Sequence, residues 1–303
     1  MNSPQEYINR QVLPITLSVL ANLILGSSSL YWRALGDVTP TTLVAYRIIL
    51  SAFILSICIL VFRPPHPLKI LRPRTVLRHF FASLFIAANW ATFIWSSING
   101  YILETGLGYL LAPFISIALG IVIYQEPIST QKTASLLTTL GCIALFISLT
   151  ENINHSTYLL IAITWGLYTY IKKSTPLTAV NGLFIETVLL TLCLPPAFLL
   201  FNLTIPYPHE LPPQSSNIIW LAGAVSTVPL FMFSYATGKI PLSLTGALQL
   251  TLPLTLITIS LTSEKQNMPT TSLITLITTI IILGALITYD TIASRQPKKR
   301  SRT

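Results

Sequence analysis

Ten runs of mainly apolar residues, most of them about as long as a bilayer core is thick, leave this chain little choice of fold. They fall at approximately 12–32, 42–62, 77–98, 103–123, 132–150, 157–171, 180–202, 217–237, 241–261 and 272–292. Lipid offers no partner for a free N–H or C=O, so each run is expected to satisfy its own backbone as a helix. The expected class is an all-α polytopic membrane protein with ten transmembrane helices. Composition agrees, since only 9% of residues are charged and the mean hydropathy is +0.70. Soluble domains carry about 25% charged residues, so a water-soluble fold is excluded.

The first run follows Arg10 and imitates a signal peptide, but no small-x-small cleavage site follows and nine further runs do. It reads as a retained span. Connectors carry breakers, as in Arg63-Pro-Pro-His-Pro67 and Pro206-Tyr-Pro208. If the N-terminus is cytoplasmic, the connectors after even-numbered spans hold Arg63, Lys69, Arg72, Arg74, Arg78, Lys132, Lys172, Lys173 and Lys239, and the tail adds five more cations. Only Arg33 and Lys265 fall on the other side. The positive-inside bias therefore predicts cytoplasmic termini at both ends. The same distribution removes nucleic acid as a partner, because the net charge of +9 sits in span anchors without aromatic interleaving. Cys58, Cys142 and Cys193 lie scattered in apolar runs, and the four histidines (His66, His79, His155, His209) fall in or beside connectors. Neither set predicts a metal site, and no cofactor is expected.

An internal repeat with an offset of about 140 residues organises the runs. Gly108-Tyr-Leu-Leu-Ala-Pro113, followed by Glu126, has its counterpart in Gly246-Ala-Leu-Gln-Leu-Thr-Leu-Pro253, followed by Glu264. The same offset places Arg47 on Glu186, two ionisable residues inside apolar runs. Each half, 1–151 and 152–303, holds five runs, and an odd number means that the halves enter the membrane in opposite directions. Two inverted five-helix repeats with a site near the midplane are the usual plan of a secondary transporter.

Further motifs carry a family resemblance. They are Ala45-Tyr-Arg-Ile-Ile49, Asn89-Trp-Ala-Thr-Phe-Ile-Trp-Ser-Ser-Ile-Asn-Gly100 through Glu104 to Pro113, Trp165-Gly-Leu-Tyr168, Gly182-Leu-Phe-Ile-Glu-Thr187, Ser226-Thr-Val-Pro-Leu230 and Gly246 through Gln249 to Pro253. In order and spacing they resemble the RarD-type permeases, in the EamA branch of the drug/metabolite transporter superfamily. The resemblance implies ten helices in a bacterial cytoplasmic membrane and a permease or exporter of small molecules. One departure stands out: Pro253 to Glu264 is two residues shorter than Pro113 to Glu126.

Candidate pathway residues follow from polarity at membrane depth. Asn89, Thr92, Ser96 and Asn99 fall within an arc of roughly 80° on the third helix, with Phe93 beside it and Trp90 and Trp95 flanking it. This stripe either lines a wet cavity or bonds to neighbouring helices. Pro113 and Pro253 free carbonyls near the midplane, where Tyr109 and Gln249 are placed to contact a polar cargo. Span directions put Arg47 near the outer face and Glu186 near the inner one, more than about 10 Å apart along the normal. Depth then predicts two charge-inverted gates, Arg47–Glu104 outside and Glu186–Lys239 inside, with Glu186 also a candidate for a coupling proton. Static anchoring of these charges is the competing reading. The expected function is secondary transport of small amphipathic metabolites or drugs, with membrane lipid as the surrounding partner. The alternative is a flippase for lipids or lipid-linked sugars. An enzyme is not expected, because no nucleophile, base or metal ligands converge.

Overall fold

Proline-punctuated apolar runs start helices cleanly, because proline at the first helical position has no N–H to leave unsatisfied and already carries a helical φ. In the computed structural model, α2, α3 and α8 begin at such residues. The structure describes residues 4–62, 72–125, 130–173, 177, 179–237, 239–240, 248–263 and 270–293. The helices in order are α1 (Pro4–Ala34), α2 (Pro40–Phe62), α3 (Pro73–Asn99), α4 (Ile102–Tyr124), α5 (Thr130–Leu149), α6 (His155–Lys173) and α7 (Ala179–Phe201), then α8 (Pro213–Ile218), α9 (Ala222–Thr237), α10 (Thr251–Ser263) and α11 (Thr270–Ala293). No strand occurs among the described residues.

The apolar runs and the helices coincide closely. The eighth run is broken, since α8 passes through a 3-10 turn, Ile219–Leu221, into α9. Of the ninth run only the part from residue 248 is described, and Glu126, Gly246, Glu264, Lys69 and the basic tail lie outside the described residues. Six helical segments among the described residues are long and apolar enough to cross a membrane: Val12–Ala34, Pro40–Val61, Pro73–Asn99, Ile102–Ile123, Val180–Phe201 and Pro213–Phe233. Burial is inverted relative to a soluble protein. Leu60 is 74% and Leu199 81% exposed, while Glu186 is completely enclosed. Apolar side chains outward and polar groups inward is the arrangement a bilayer selects, and the protein is an all-α, multi-pass membrane protein.

Polar side chains inside apolar helices find local partners. Thr255, Thr258, Thr262, Thr275, Thr278 and Thr279 each donate to the carbonyl four residues back, so the threonine-rich tenth and eleventh helices hide their hydroxyls from lipid. Gly100 stops α3 in the left-handed region at φ 79°, where its N–H and that of Tyr101 both reach the Ser96 carbonyl.

Helix packing follows a pattern that exchanges the halves. α1 packs on α9 as α6 packs on α3, α4 on α6 as α10 on α1, and α2 on α9 as α7 on α3. The pairs α4–α10, α2–α7 and α5–α11 are their own images. Individual contacts repeat as well. A Cβ on Gly26 would lie 2.7 Å from Thr255 Cβ and 3.2 Å from the Leu252 carbonyl; one on Gly166 would lie 2.8 Å from Ile115 Cβ and 3.2 Å from the Ala112 carbonyl. Every residue of the first contact is related to its partner in the second by the same offset of about 140 residues. The bundle ends are called inner and outer below, after the charge bias.

Candidate functional site

Glu186 lies about two turns into α7 and is buried completely, so its carboxylate needs protein partners. Three supply them near the inner end. His79 Nδ1 is 2.7 Å from Oε1, Lys172 Nζ donates to Oε1 at 2.9 Å, and the Tyr168 hydroxyl donates to Oε2 at 3.1 Å. The cluster ties α7 to the beginning of α3 and the end of α6. Lys172 is reachable because Gly182, one turn before Glu186, has no side chain: a Cβ there would collide with Nζ and sit 3.1 Å from His79 Cε1.

One expected pair is absent here. Lys239 does not meet Glu186; it is exposed and donates to Tyr235 Oη, one turn back, at 2.8 Å. His79, beside the connector that precedes α3, is carried by that helix into a fully buried position. Depth alone would have paired these groups. His79, Lys172 and Glu186 are all within about two turns of the inner helix ends.

Gly182→Ala is therefore expected to lower stability by about 1–2 kcal/mol through displacement of Lys172. Adding Lys172→Met to that variant should lower it no further, because one interaction is removed twice. Thermal unfolding of the single and double variants reads this directly, and full additivity would contradict the geometry.

Arg47 occupies the equivalent place on α2, toward the outer end, with 4% of its surface exposed. It does not pair with Glu104. Its guanidinium carbon lies 4.2 Å from the Trp90 ring centroid and 5.4 Å from that of Trp32. Glu104 is buried at the start of α4 and accepts from the Asn154 backbone N–H at 3.2 Å. A guanidinium is planar and weakly hydrated, so it stacks where an ammonium would seek water. Desolvated cation–π contacts of this kind contribute about 2 kcal/mol. The repeat offset extends to the neighbours: Trp32 corresponds to Lys172 and Ile219 to His79. Trp32 and Ile219 belong to one buried apolar cluster.

The stripe on α3 divides between its two readings. Asn89 is fully buried and knots three helices, accepting from Tyr109 Oη at 2.8 Å and donating to Thr164 Oγ1 at 3.1 Å. Ser96 is also enclosed, its Oγ 2.6 Å from Thr105 Oγ1 on α4. Thr92, by contrast, lines a cavity of about 690 Å³ bounded by α2, α3, α6 and α7 at the outer end. Pro40, Val44, Leu160 and Phe198 form other parts of its wall. Asn99 is exposed and donates to the Trp95 carbonyl, and Trp95 stacks on Tyr101 at 5.2 Å. Phe93 is buried with its ring edge-on to Tyr109 at 6.3 Å. Pro113 is exposed on α4, whereas Pro253 is buried with its carbonyl toward Gly106, and Gln249 is half-buried just before α10.

Rings connect the two charged positions. Tyr109 meets Trp165 at 5.5 Å and Trp165 meets Tyr168 at 5.5 Å, which leads to Glu186; Trp165 and Tyr168 also pack on the cluster containing Trp90. Sequence reasoning missed Trp32, Trp165, Tyr168, His79 and Lys172 as site residues. The first three look like packing or interface aromatics until the helices are assembled. Among the described residues no three His, Cys, Asp or Glu side chains converge as a metal site.

No family model matches the chain. Curated relatives do. An uncharacterized transporter of Pseudomonas aeruginosa is 31% identical over 242 residues, covering 78% of this chain and 80% of the relative. The uncharacterized transporter YojE of Bacillus subtilis is 28% identical over 251 residues, covering 79% and 81%. Protein RarD of Escherichia coli is 26% identical over 238 residues, covering 78% and 80%.

Proposed function

The chain belongs to the RarD-type transporters, and from that premise we propose that it is a secondary permease or exporter of small amphipathic metabolites or drugs, working by alternating access. The single observation that supports the mechanism is that two charges from equivalent positions flank a run of touching rings. Exchange of packing partners between the halves supports two inverted five-helix repeats, 1–151 and 152–303, forming ten spans. The bacterial relatives support a bacterial cytoplasmic membrane, and the charge bias supports termini on its inner side.

In this reading the structure is an outward-facing state. The outer cavity is open between α2, α3, α6 and α7, and the Glu186 cluster holds the inner ends of α3, α6 and α7 together. Rocking of the halves would close the cavity and release the cluster. Glu186 is also the site offered for a coupling proton, because protonation removes the charge that Lys172 and His79 bind. The flippase reading draws on the cavity wall, where Leu194, Ala197 and Phe198 of α7 present an apolar side.

Reconstituted liposomes test the proposal. Counterflow of a labelled aromatic drug or metabolite is expected, with uphill flux responding to an imposed pH gradient in the wild type and losing that response in Glu186→Gln. Undiminished pH response in Glu186→Gln would remove the proton role, and movement of labelled lipid without soluble flux would favour the flippase.

A further inference from the structure

Arg47 and Glu186 hold equivalent positions, yet among the described residues only Glu186 meets a counter-charge. Glu186 is met by Lys172, His79 and Tyr168. At the places equivalent to those partners, Trp32 stands for Lys172 and Ile219 for His79, and among the described residues no carboxylate pairs with Arg47. Its Nε is sealed from solvent without a hydrogen-bond acceptor. The faces of Trp90 and Trp32 compensate part of the lost hydration of the cation, but they offer no acceptor to a group with five N–H donors. A buried, planar fork of donors without its anion is built for a planar anion.

We propose that Arg47 recognises the carboxylate of an organic-acid cargo whose apolar body packs against the surrounding rings. The inference rests on the transporter reading and assigns that transporter a substrate class. The outer cavity ends one helical turn from the site. Val44, part of its wall, lies one turn from Arg47 on the same face of α2, and Ala91, also in the wall, is the neighbour of Trp90. Tyr31, Phe93 and Tyr109 extend the aromatic surround: Tyr31 lies edge-on to Trp32 at 4.8 Å, and Phe93 lies edge-on to Tyr109 at 6.3 Å. One guanidinium without a second cation beside it suits a monoanion, and the rings favour an aromatic or branched body over a sugar.

The test uses full-length protein in phosphatidylcholine nanodiscs and three probes of one shape: 3-phenylpropionate, 3-phenylpropanamide and 2-phenylethylphosphonate. Binding is read from tryptophan fluorescence, which Trp90 and Trp32 report. The acid is expected to bind at least about tenfold more tightly than the amide, as a charge-assisted bond to a buried guanidinium requires. Arg47→Gln should erase that preference while leaving amide binding in place, and Arg47→Lys should keep part of it. Equal binding of acid and amide by the wild type, or absence of binding by both, overturns the proposal. So does a preference that survives in Arg47→Gln. Tighter binding of the phosphonate, or displacement of the acid by phosphatidylglycerol vesicles, would reassign Arg47 to a phosphate headgroup. Liposome counterflow with the same probes separates this inference from the reading it rests on. Amide flux without preference for the acid keeps the transporter and rejects the carboxylate site; acid-selective binding without any flux does the reverse.

Discussion

Glu186→Ala is expected to destabilise the purified protein by about 3 kcal/mol and to open the inner end of the bundle to water. The carboxylate accepts from Lys172 and Tyr168 and contacts His79 Nδ1, while His79 Nε2 already lacks a partner. Lys172 is partly exposed and can turn to water, but the buried His79 ring would be left with both nitrogens unsatisfied. Two measurements check this. The thermal midpoint should fall by several degrees, and a cysteine at Leu183, in a background lacking Cys58, Cys142 and Cys193, should react faster with an impermeant thiol reagent. Glu186→Ala combined with His79→Leu should recover part of the loss, since the stranded ring is then replaced by an apolar side chain. An unchanged midpoint and unchanged labelling would show that the cluster does not hold the inner end closed.

Gly108→Ala is expected to be among the most damaging small substitutions in the chain, whereas Gly141→Ala should stabilise it. A Cβ on Gly108 would lie 2.6 Å from Ile161 Cβ and 2.8 Å from the Tyr158 carbonyl, so α4 and α6 must separate along their whole contact. Overpacking of this kind costs about 3 kcal/mol when backbone is among the obstructing atoms. Gly141, on α5, has nothing within 4 Å of an added methyl carbon, and there alanine removes only the glycine penalty, a gain of about 0.5–1 kcal/mol. Folded yield and thermal midpoint of the two variants should move in opposite directions. Equal behaviour would mean that α4 and α6 are not packed this closely.

The contrast between these glycines shows where the sequence is readable. Gly108 and Gly141 both sit inside apolar runs, and nothing in composition separates them; only the approach of α6 does. The α3 stripe makes the same point. Its polarity was legible, but Asn89 and Ser96 spend it on neighbouring helices while Thr92 faces the cavity. The charges were legible as special, yet their partners were not. Arg47 chose rings over Glu104, and Glu186 chose Lys172 and His79 over Lys239.

What the sequence determined by itself is therefore the all-α class and the helices among the described residues. These follow from run length, from proline and glycine placement and from the absence of backbone partners in lipid, all of which act locally. Tertiary structure alone decided which buried charge meets a counter-charge among the described residues and which meets aromatic rings. That outcome depends on Gly182 making room for Lys172 on one side, and on Trp32 filling the equivalent place on the other. Depth along the membrane can be counted from a sequence, because helix rise is constant. The rotation of each helix about its axis cannot, because it is settled by the neighbours it packs against.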